Sequence, residues 1–399
     1  MTNDIRSGDE RVAQLRAGQT WSDFCDTLKR AGRQILRHEA PTDAFTRAEG
    51  FRYLSRLMRI GLEMHVEFAD KEWPGFFSPS HETAKIGADN PDNLYQSARV
   101  DGRHEYRVSG NRGSVAYLSF GTQKGGYETD GKMLQTGFID AKALKLEADG
   151  SFELVLSQAP REGNWLRMEP ETNSLLVRQT FMDRRAEQPA QLKIERIDAQ
   201  ERPAPLDPEW LQGGLMRAAQ FVENTSRLFA DWAASYAGHV NELPPANQAL
   251  CQAVGGDPNI YYYHSTWKLA DDEALVIKVN KVPECDFWNV QLNNYWMESL
   301  DYRYFDICLN KHRAQLDNRG GVKVIVSAQD PGLPNWLQTA GHEVGTICWR
   351  WVGAGQPPRS AHPYTRLVKL AELKDAVTRT RPGAAKKARP AVRSTELSQ

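Results

Sequence analysis

The chain has 399 residues, of which 40% are hydrophobic and 25% charged, with a formal net charge of -1. A chain this long buries a large core and builds two or three domains, while its near-zero charge excludes a global field favouring nucleic acid or an anionic membrane. Five widely spaced cysteines without a C-x-x-C pair exclude a zinc ribbon and a thioredoxin-type motif.

The first residues, MTNDIRSGDERVAQLRAGQ, lack an apolar secretory core. No apolar run approaches the ~20 residues of a membrane helix. The expectation is a cytoplasmic protein with no membrane span, its cysteines free thiols. Residues 19–37 read as an amphipathic helix with Ser22 as N-cap and Phe24, Leu28, Ile35 and Leu36 near helical spacing. A second helix runs from about Asp43 to Asp70, capped by Thr42 or Asp43, and Trp73-Pro74-Gly75 ends it. Residues 97–200 hold short alternating runs (HEYRVSG, SVAYLSF, SFELVLS, SLLVRQTF, QLKIERI) spaced as in a sandwich or barrel. The glycine-rich stretch Gly121 to Gly126 reads as a loop among them. The stiff segment Arg202 to Pro208 leads into a helix over 208–240, where Asp207 caps, Pro208 suits the first turn and Gly213-Gly214 weakens it.

Residues 259–352 return to strands, without the alternating βα pattern of a doubly wound sheet. Pro363 to about Val377 reads as a closing helix with Leu367, Val368, Leu370 and Leu373 inward. The basic, Pro/Ala-rich tail over 379–399 reads as disordered. The fold class is therefore mainly β with helical segments: two antiparallel β-sandwich units, an N-terminal helical region and a helical connector. The expected divisions are 1–90, 91–205, 206–256, 257–377 and 378–399. Two β units suggest an internal duplication, but no residue-level repeat is visible.

Eleven tryptophans are many for this length, and rings interleaved with amides suit either a polar ligand pocket or an aromatic core. His342 is the first candidate for proton transfer. Adjacent Glu343 would point to the opposite strand face, so Asp301, Asp306 or Asp330 would have to partner it. Asn293 and Tyr295 would share one strand face with Asn294 and Trp296 opposite, and Trp288 lies nearby. Amide plus ring is a way to hold a hydroxylated substrate; a cross-strand ladder is the structural alternative. Tyr261-Tyr262-Tyr263 presents rings to both faces, with Tyr262 and His264 on one. No metal-ligand spacing occurs, so no metal is expected. Asn111 and Arg112 sit in the tight turn Gly110 to Gly113, where Arg112 could hold an anion or simply be solvated. No Walker A loop, nucleophile elbow or dinucleotide fingerprint is present, so no organic cofactor is implied.

Asn335-Trp336-Leu337-Gln338-Thr339-Ala340-Gly341-His342, followed by Gly345 and Arg350-Trp351, resembles the signature of the domain-of-unknown-function-1214 family. So do the preceding FWNVQLNNYWMESLDYRY and AQDPG, and upstream Gly110-Asn111-Arg112-Gly113 with Tyr117. The resemblance spans roughly residues 90–355. It implies two jelly-roll-like sandwich units with helices beside them, and it names no chemistry. Some relatives carry an added N-terminal β-domain and an export signal, where this chain has helices.

The leading expectation is an enzyme, a hydrolase or lyase, acting by acid–base chemistry on a small hydroxylated or ring-bearing metabolite. His342 and Asp301 are its catalytic candidates; Asn111, Arg112, Tyr262, His264, Trp288, Asn293, Tyr295 and Trp296 are its substrate-binding candidates. The alternatives are a non-catalytic carbohydrate- or lipid-binding module, and a structural unit that forms a homo-oligomer. They differ in whether the aromatics line a pocket with titratable groups or face another subunit.

Overall fold

The computed structural model describes residues 8–199 and 202–373. The chain starts with α1 (Gly8–Arg16), α2 (Gln19–Ala31) and α3 (Ala44–Leu62), the last widening into a π turn at Glu63–Glu67. Gly18, at φ 73, starts α2, so Ser22 lies inside the helix rather than capping it. Asp43 caps α3 by accepting from Thr46 N at 2.8 Å. The long α4 (Pro208–Ser235) has Asp207 as N-cap, accepting from Glu209 N and Trp210 N. It packs along α2 and α3, and the short α5 (Gln248–Ala253) follows. The glycine pair in α4 has a packing reason: a Cβ on Gly214 would stand 2.6 Å from the His65 carbonyl oxygen. The helix-propensity loss of ~1 kcal/mol permits that close approach.

Two β units of eight strands each follow one plan. The first has β1 (Asn93–Arg99), β2 (Tyr106–Asn111), β3 (Tyr117–Gly125), β4 (Met133–Asp140), β5 (Ser151–Ser157), β6 (Trp165–Arg167), β7 (Ser174–Thr180) and β8 (Gln191–Arg196). The second has β9 (Ile260–Lys268), β10 (Glu273–Val279), β11 (Phe287–Asn293), β12 (Cys308–Asn310), β13 (Val322–Ser327), β14 (Trp336–Gln338), β15 (Val344–Val352) and β16 (Tyr364–Lys369). The sheets are β1-β7-β3-β4 with β6-β5-β2-β8, and β9-β15-β11-β12 with β14-β13-β10-β16. Taken in chain order, each strand of one unit has a counterpart in the other. Even the two parallel pairs, β5–β6 and β13–β14, correspond.

Each unit buries its own core between its two sheets. In the first, Val108, Phe120, Leu154 and Val177 meet. In the second, Trp267, Trp288, Trp349 and Trp351 meet Ile277 and Val324. Trp288 and Trp349 stack at 5.2 Å with planes 3° apart, and Trp351 meets Trp288 edge-on. Such pairs add ~1 kcal/mol beyond area burial. Four of the eleven tryptophans are thus structural.

The duplication extends to residues. Asn164 and Asn335 each staple a loop through a backbone N–H and two carbonyls. Trp165 and Trp336 each donate Nε1 to a serine carbonyl, Ser157 and Ser327, and each serine hydroxyl donates two residues onward. Asn164-Trp165-Leu166 and Asn335-Trp336-Leu337 are therefore one motif repeated. Intervening turns of different length hide it from a fixed-period reading.

Two expected elements differ. The segment expected as a closing helix is instead β16, antiparallel to β10, with helix only over 370–373 of the described residues. The β10 edge offers unpaired N–H and C=O groups that a strand satisfies and a helix does not. Leu370 still turns inward, whereas Leu367 is exposed. Gly121 to Gly125 belongs to β3 rather than to a loop. The tail over 379–399 lies outside the described residues.

Candidate functional site

Between the two units, under α4, lies a cavity of about 170 Å³. Its walls follow from strand periodicity. In β1, Tyr95, Ser97 and Arg99 point away from the first core, opposite Arg178, Leu176 and Ser174 of β7. In β9, Ile260, Tyr262 and His264 point away from the second core, and Arg350 of β15 stands opposite Tyr262. Faces that would meet water in a lone sandwich here meet each other. Phe221, Phe229 and Trp232 of α4, with Tyr127 and Met64, close the space.

Reciprocal contacts bind the units. Arg178 donates to the Gly255 carbonyl, in the loop before β9; Arg350 donates to the Ala88 carbonyl, in the loop before β1. Within each unit the following strand holds the docking loop: the Tyr95 hydroxyl accepts Asn90 N at 3.0 Å, and the Tyr262 hydroxyl accepts Asp257 N at 3.3 Å. Asn289 of β11 donates to Asn90 and Asp92. Correspondingly, Tyr117 and Ser119 of β3 donate to Asp257. Each unit's first loop thus docks on the other's central strands, the isologous pattern of a two-fold relation.

Further charged and polar groups lie at or next to the cavity. Arg99 Nη2 lies 4.0 Å from Glu128, and His65 Nε2 lies 3.8 Å from the same carboxylate. Burial lowers the His65 pKa to about 2 and that of His264 to about 3, so both rings are neutral at pH 7. His264 sits between the stacked rings of Tyr262 and Tyr236, at 5.9 and 6.0 Å. Its Nε2 is 3.8 Å from Cys348 Sγ, and its Nδ1 has no partner among the described residues. Burial pushes Cys251 up to about 12 and Cys348 up to about 11, which makes them thiols and not nucleophilic thiolates. Gln123, only 2% exposed, lines the cavity, and its Oε1 has no partner among the described residues. Among the described residues, no three His, Cys, Asp or Glu side chains gather as a metal site.

The structure disperses most of the sequence-selected residues. Tyr262 and His264 line the cavity; the other eight do not. His342 follows a turn, with Nδ1 against the Thr339 and Ala340 carbonyls and Nε2 3.0 Å from Glu49 of α3. Phe45 packs edge-on to its ring. Burial disfavours its charge, but the Glu49 contact and the two carbonyls outweigh that and raise the pKa. Asp301 is held by Arg303 in its own turn, not by His342. Arg112 donates to the Gly113 and Val115 carbonyls, and Asn111 bonds the same turn and the neighbouring Asp149 carbonyl. Trp288 belongs to the second core. β11 ends at Asn293, so Asn293 and Tyr295 do not share a strand face. Asn293 bonds Thr346 and Gln291; Tyr295 donates to the Glu39 carbonyl and Trp296 to the Thr46 carbonyl. Trp296 also lies over Gly50, where a Cβ would come within 2.8 Å of the ring. These three residues anchor structure rather than line the cavity.

The sequence reading missed Arg99, Gln123, Glu128, Arg178 and Arg350 as cavity groups. A usable signal existed: Asn90-Pro91-Asp92 precedes Tyr95 as Asp257-Pro258-Asn259 precedes Tyr262. That repeat marks both docking loops and the strands that face the cavity.

A family described as "Protein of unknown function (DUF1214)" matches over residues 95–180, within the first β unit. An uncharacterised protein from Burkholderia cenocepacia has a crystal structure 78% identical in sequence, with a TM-score of 0.89, covering 90% of this chain and 99% of that one. A Vibrio parahaemolyticus protein is 13% identical with a TM-score of 0.46, over 80% of this chain and 98% of that one. No curated protein matches this chain.

Proposed function

We propose that this chain, which belongs to the DUF1214 family of proteins of unknown function, binds a small ring-bearing metabolite in the cavity between its two β units. The observation that carries this reading is a pair of buried polar side chains, Gln123 and His264, that line one cavity with atoms unpartnered among the described residues. An unsatisfied buried polar group costs ~1–3 kcal/mol, and of the fifteen such atoms among the described residues only these two belong to residues that line the cavity. A ligand bridging the two would remove that cost. The volume supports a molecule of about one ring, since an apolar cavity of roughly 150 Å³ takes up benzene. The lining rings of Phe229, Trp232 and Tyr262 suit a flat partner. A groove of about 490 Å³ beside Asp183 and His312 is larger, but its Arg184 and Arg313 are already bonded to backbone carbonyls.

The test is a thermal-shift screen of one-ring hydroxylated and acidic metabolites, repeated on Leu176→Trp, which fills the space. A ligand at 100-fold its Kd should stabilise the native chain by about 2.7 kcal/mol and should lose that effect on Leu176→Trp. Ligands that stabilise both proteins equally bind elsewhere and sink the reading.

A catalytic reading has one observation in its favour. Glu128 is a cavity-lining carboxylate 4.0 Å from Arg99, placed where a general base could meet a ligand proton. Glu128→Gln would then keep ligand binding and abolish conversion, read by mass spectrometry of the recovered ligand. His342 and Asp301 play no part in this reading, because neither lines the cavity.

A further inference from the structure

We infer that the ligand of this cavity is an organic monoanion, a ring-bearing carboxylate, and that Arg99 holds its charged end. This rests on the reading of the cavity as a ligand site. Strand register puts Arg99 of β1 directly opposite Ser174 of β7, and Ser174 opposite Gln123 of β3. The three side chains form one row across three adjacent strands, and all line the cavity. None makes a side-chain hydrogen bond to a described residue; Arg99 has only the 4.0 Å approach of Glu128. The row offers the guanidinium, the hydroxyl and the amide Nε2 as donors that a carboxylate accepts, and leaves Gln123 Oε1 to accept from a hydroxyl on the ligand ring.

The second unit supplies a control. Its corresponding row is Thr266, Thr346 and Asn293. In that row Asn293 donates to Thr346 at 3.2 Å, and none of the three lines the cavity. Duplication of the fold therefore does not require an arginine at this position. Charge favours a single negative group. The cavity-lining charges, Arg99, Arg178 and Arg350 against Asp89 and Glu128, leave one positive charge over, while a dianion would overshoot.

The experiment compares benzoate, benzamide and phenyl phosphate by calorimetry on the full chain. Benzoate should bind roughly tenfold or more tighter than benzamide, the neutral isostere, and tighter than phenyl phosphate. Arg99→Gln should erase the preference for benzoate over benzamide, and Arg99→Lys should restore part of it. Equal binding of benzoate and benzamide, or a preference that survives Arg99→Gln, overturns the inference and leaves the cavity reading standing. Tighter phenyl phosphate binding overturns the carboxylate assignment. No binding by any of the three overturns both readings. If Arg99→Gln does not fold, Glu128→Gln decides: loss of the competing carboxylate should tighten benzoate severalfold and leave benzamide unchanged. Unchanged benzoate affinity there counts against Arg99 as the anchor.

Discussion

Arg178 in the first β unit and Arg350 in the second occupy equivalent positions, each opposite a tyrosine on the neighbouring strand. Each also donates to a carbonyl of the other unit's docking loop. Arg99 and its counterpart Thr266 share a position but not a role: Arg99 faces the cavity without a side-chain hydrogen bond to a described residue, and Thr266 lies outside it. What the two units share holds them together. What they do not share marks where a ligand would be recognised. A duplicated fold thus contains its own reference state, because a position's twin shows what the architecture alone demands.

The largest effect should come from breaking the shared part. Arg178→Ala and Arg350→Ala should each cost about 3 kcal/mol in urea unfolding, since the first leaves the Gly255 carbonyl unpaired and buried Asp257 without its cation, and the second leaves the Ala88 carbonyl and the Gln291 amide oxygen unpaired. Similar losses for both arginines support equivalent roles. A cost below about 1 kcal/mol for either would break the correspondence.

The second effect concerns pH and an unshared residue. The folded-state pKa of His264 lies at about 3, below the ~6.5 of an unfolded chain. The unfolded state therefore binds the extra proton, and folding stability falls as pH drops from about 6.5 toward 3. The slope for this one group is about 1.4 kcal/mol per pH unit. His264→Phe should flatten the acid limb of the melting-temperature profile. An unchanged profile would show that the ring protonates freely in the native state.

His342 gives the opposite sign at a smaller size. Its pKa is raised in the folded protein, with Glu49 as its charged partner. The stabilisation is then fully present below the unfolded pKa of ~6.5 and is lost as pH rises through the folded value. Glu49→Gln should lower stability by about 1 kcal/mol at pH 5.5 and by little at pH 9, read as the difference in melting temperature. A difference constant with pH would remove the ion pair as its cause.

The smallest stability effect is expected at the sharpest point of the comparison. Arg99→Gln should change unfolding free energy by less than ~1 kcal/mol, because the side chain donates no hydrogen bond within the described residues. A loss as large as that of Arg350→Ala would make Arg99 a structural arginine after all.

The site was partly legible in the sequence. The tyrosine run placed Tyr262 and His264 on one strand face, which is the cavity face. Asn293, which the sequence offers as a ligand amide, is the counterpart of Gln123 in a row that lies outside the cavity. The C-terminal signature led to His342, whose ring serves a turn and an ion pair. Local chemistry identified residue types suited to ligands but could not say which twin faced a void.

Alternating apolar residues, capping aspartates and turn-forming glycines were enough to determine two β units, a long connector helix and an N-terminal helical region. These depend on periodicity and on hydrogen bonds a few residues apart. The exchange of docking loops, the strand at 364–369 and the cavity required the tertiary structure. Each depends on contacts between groups far apart in the chain. β16 is a strand because β10 presented an open edge. The polar faces of β1 and β9 line a cavity because the two units turn them toward each other instead of toward water.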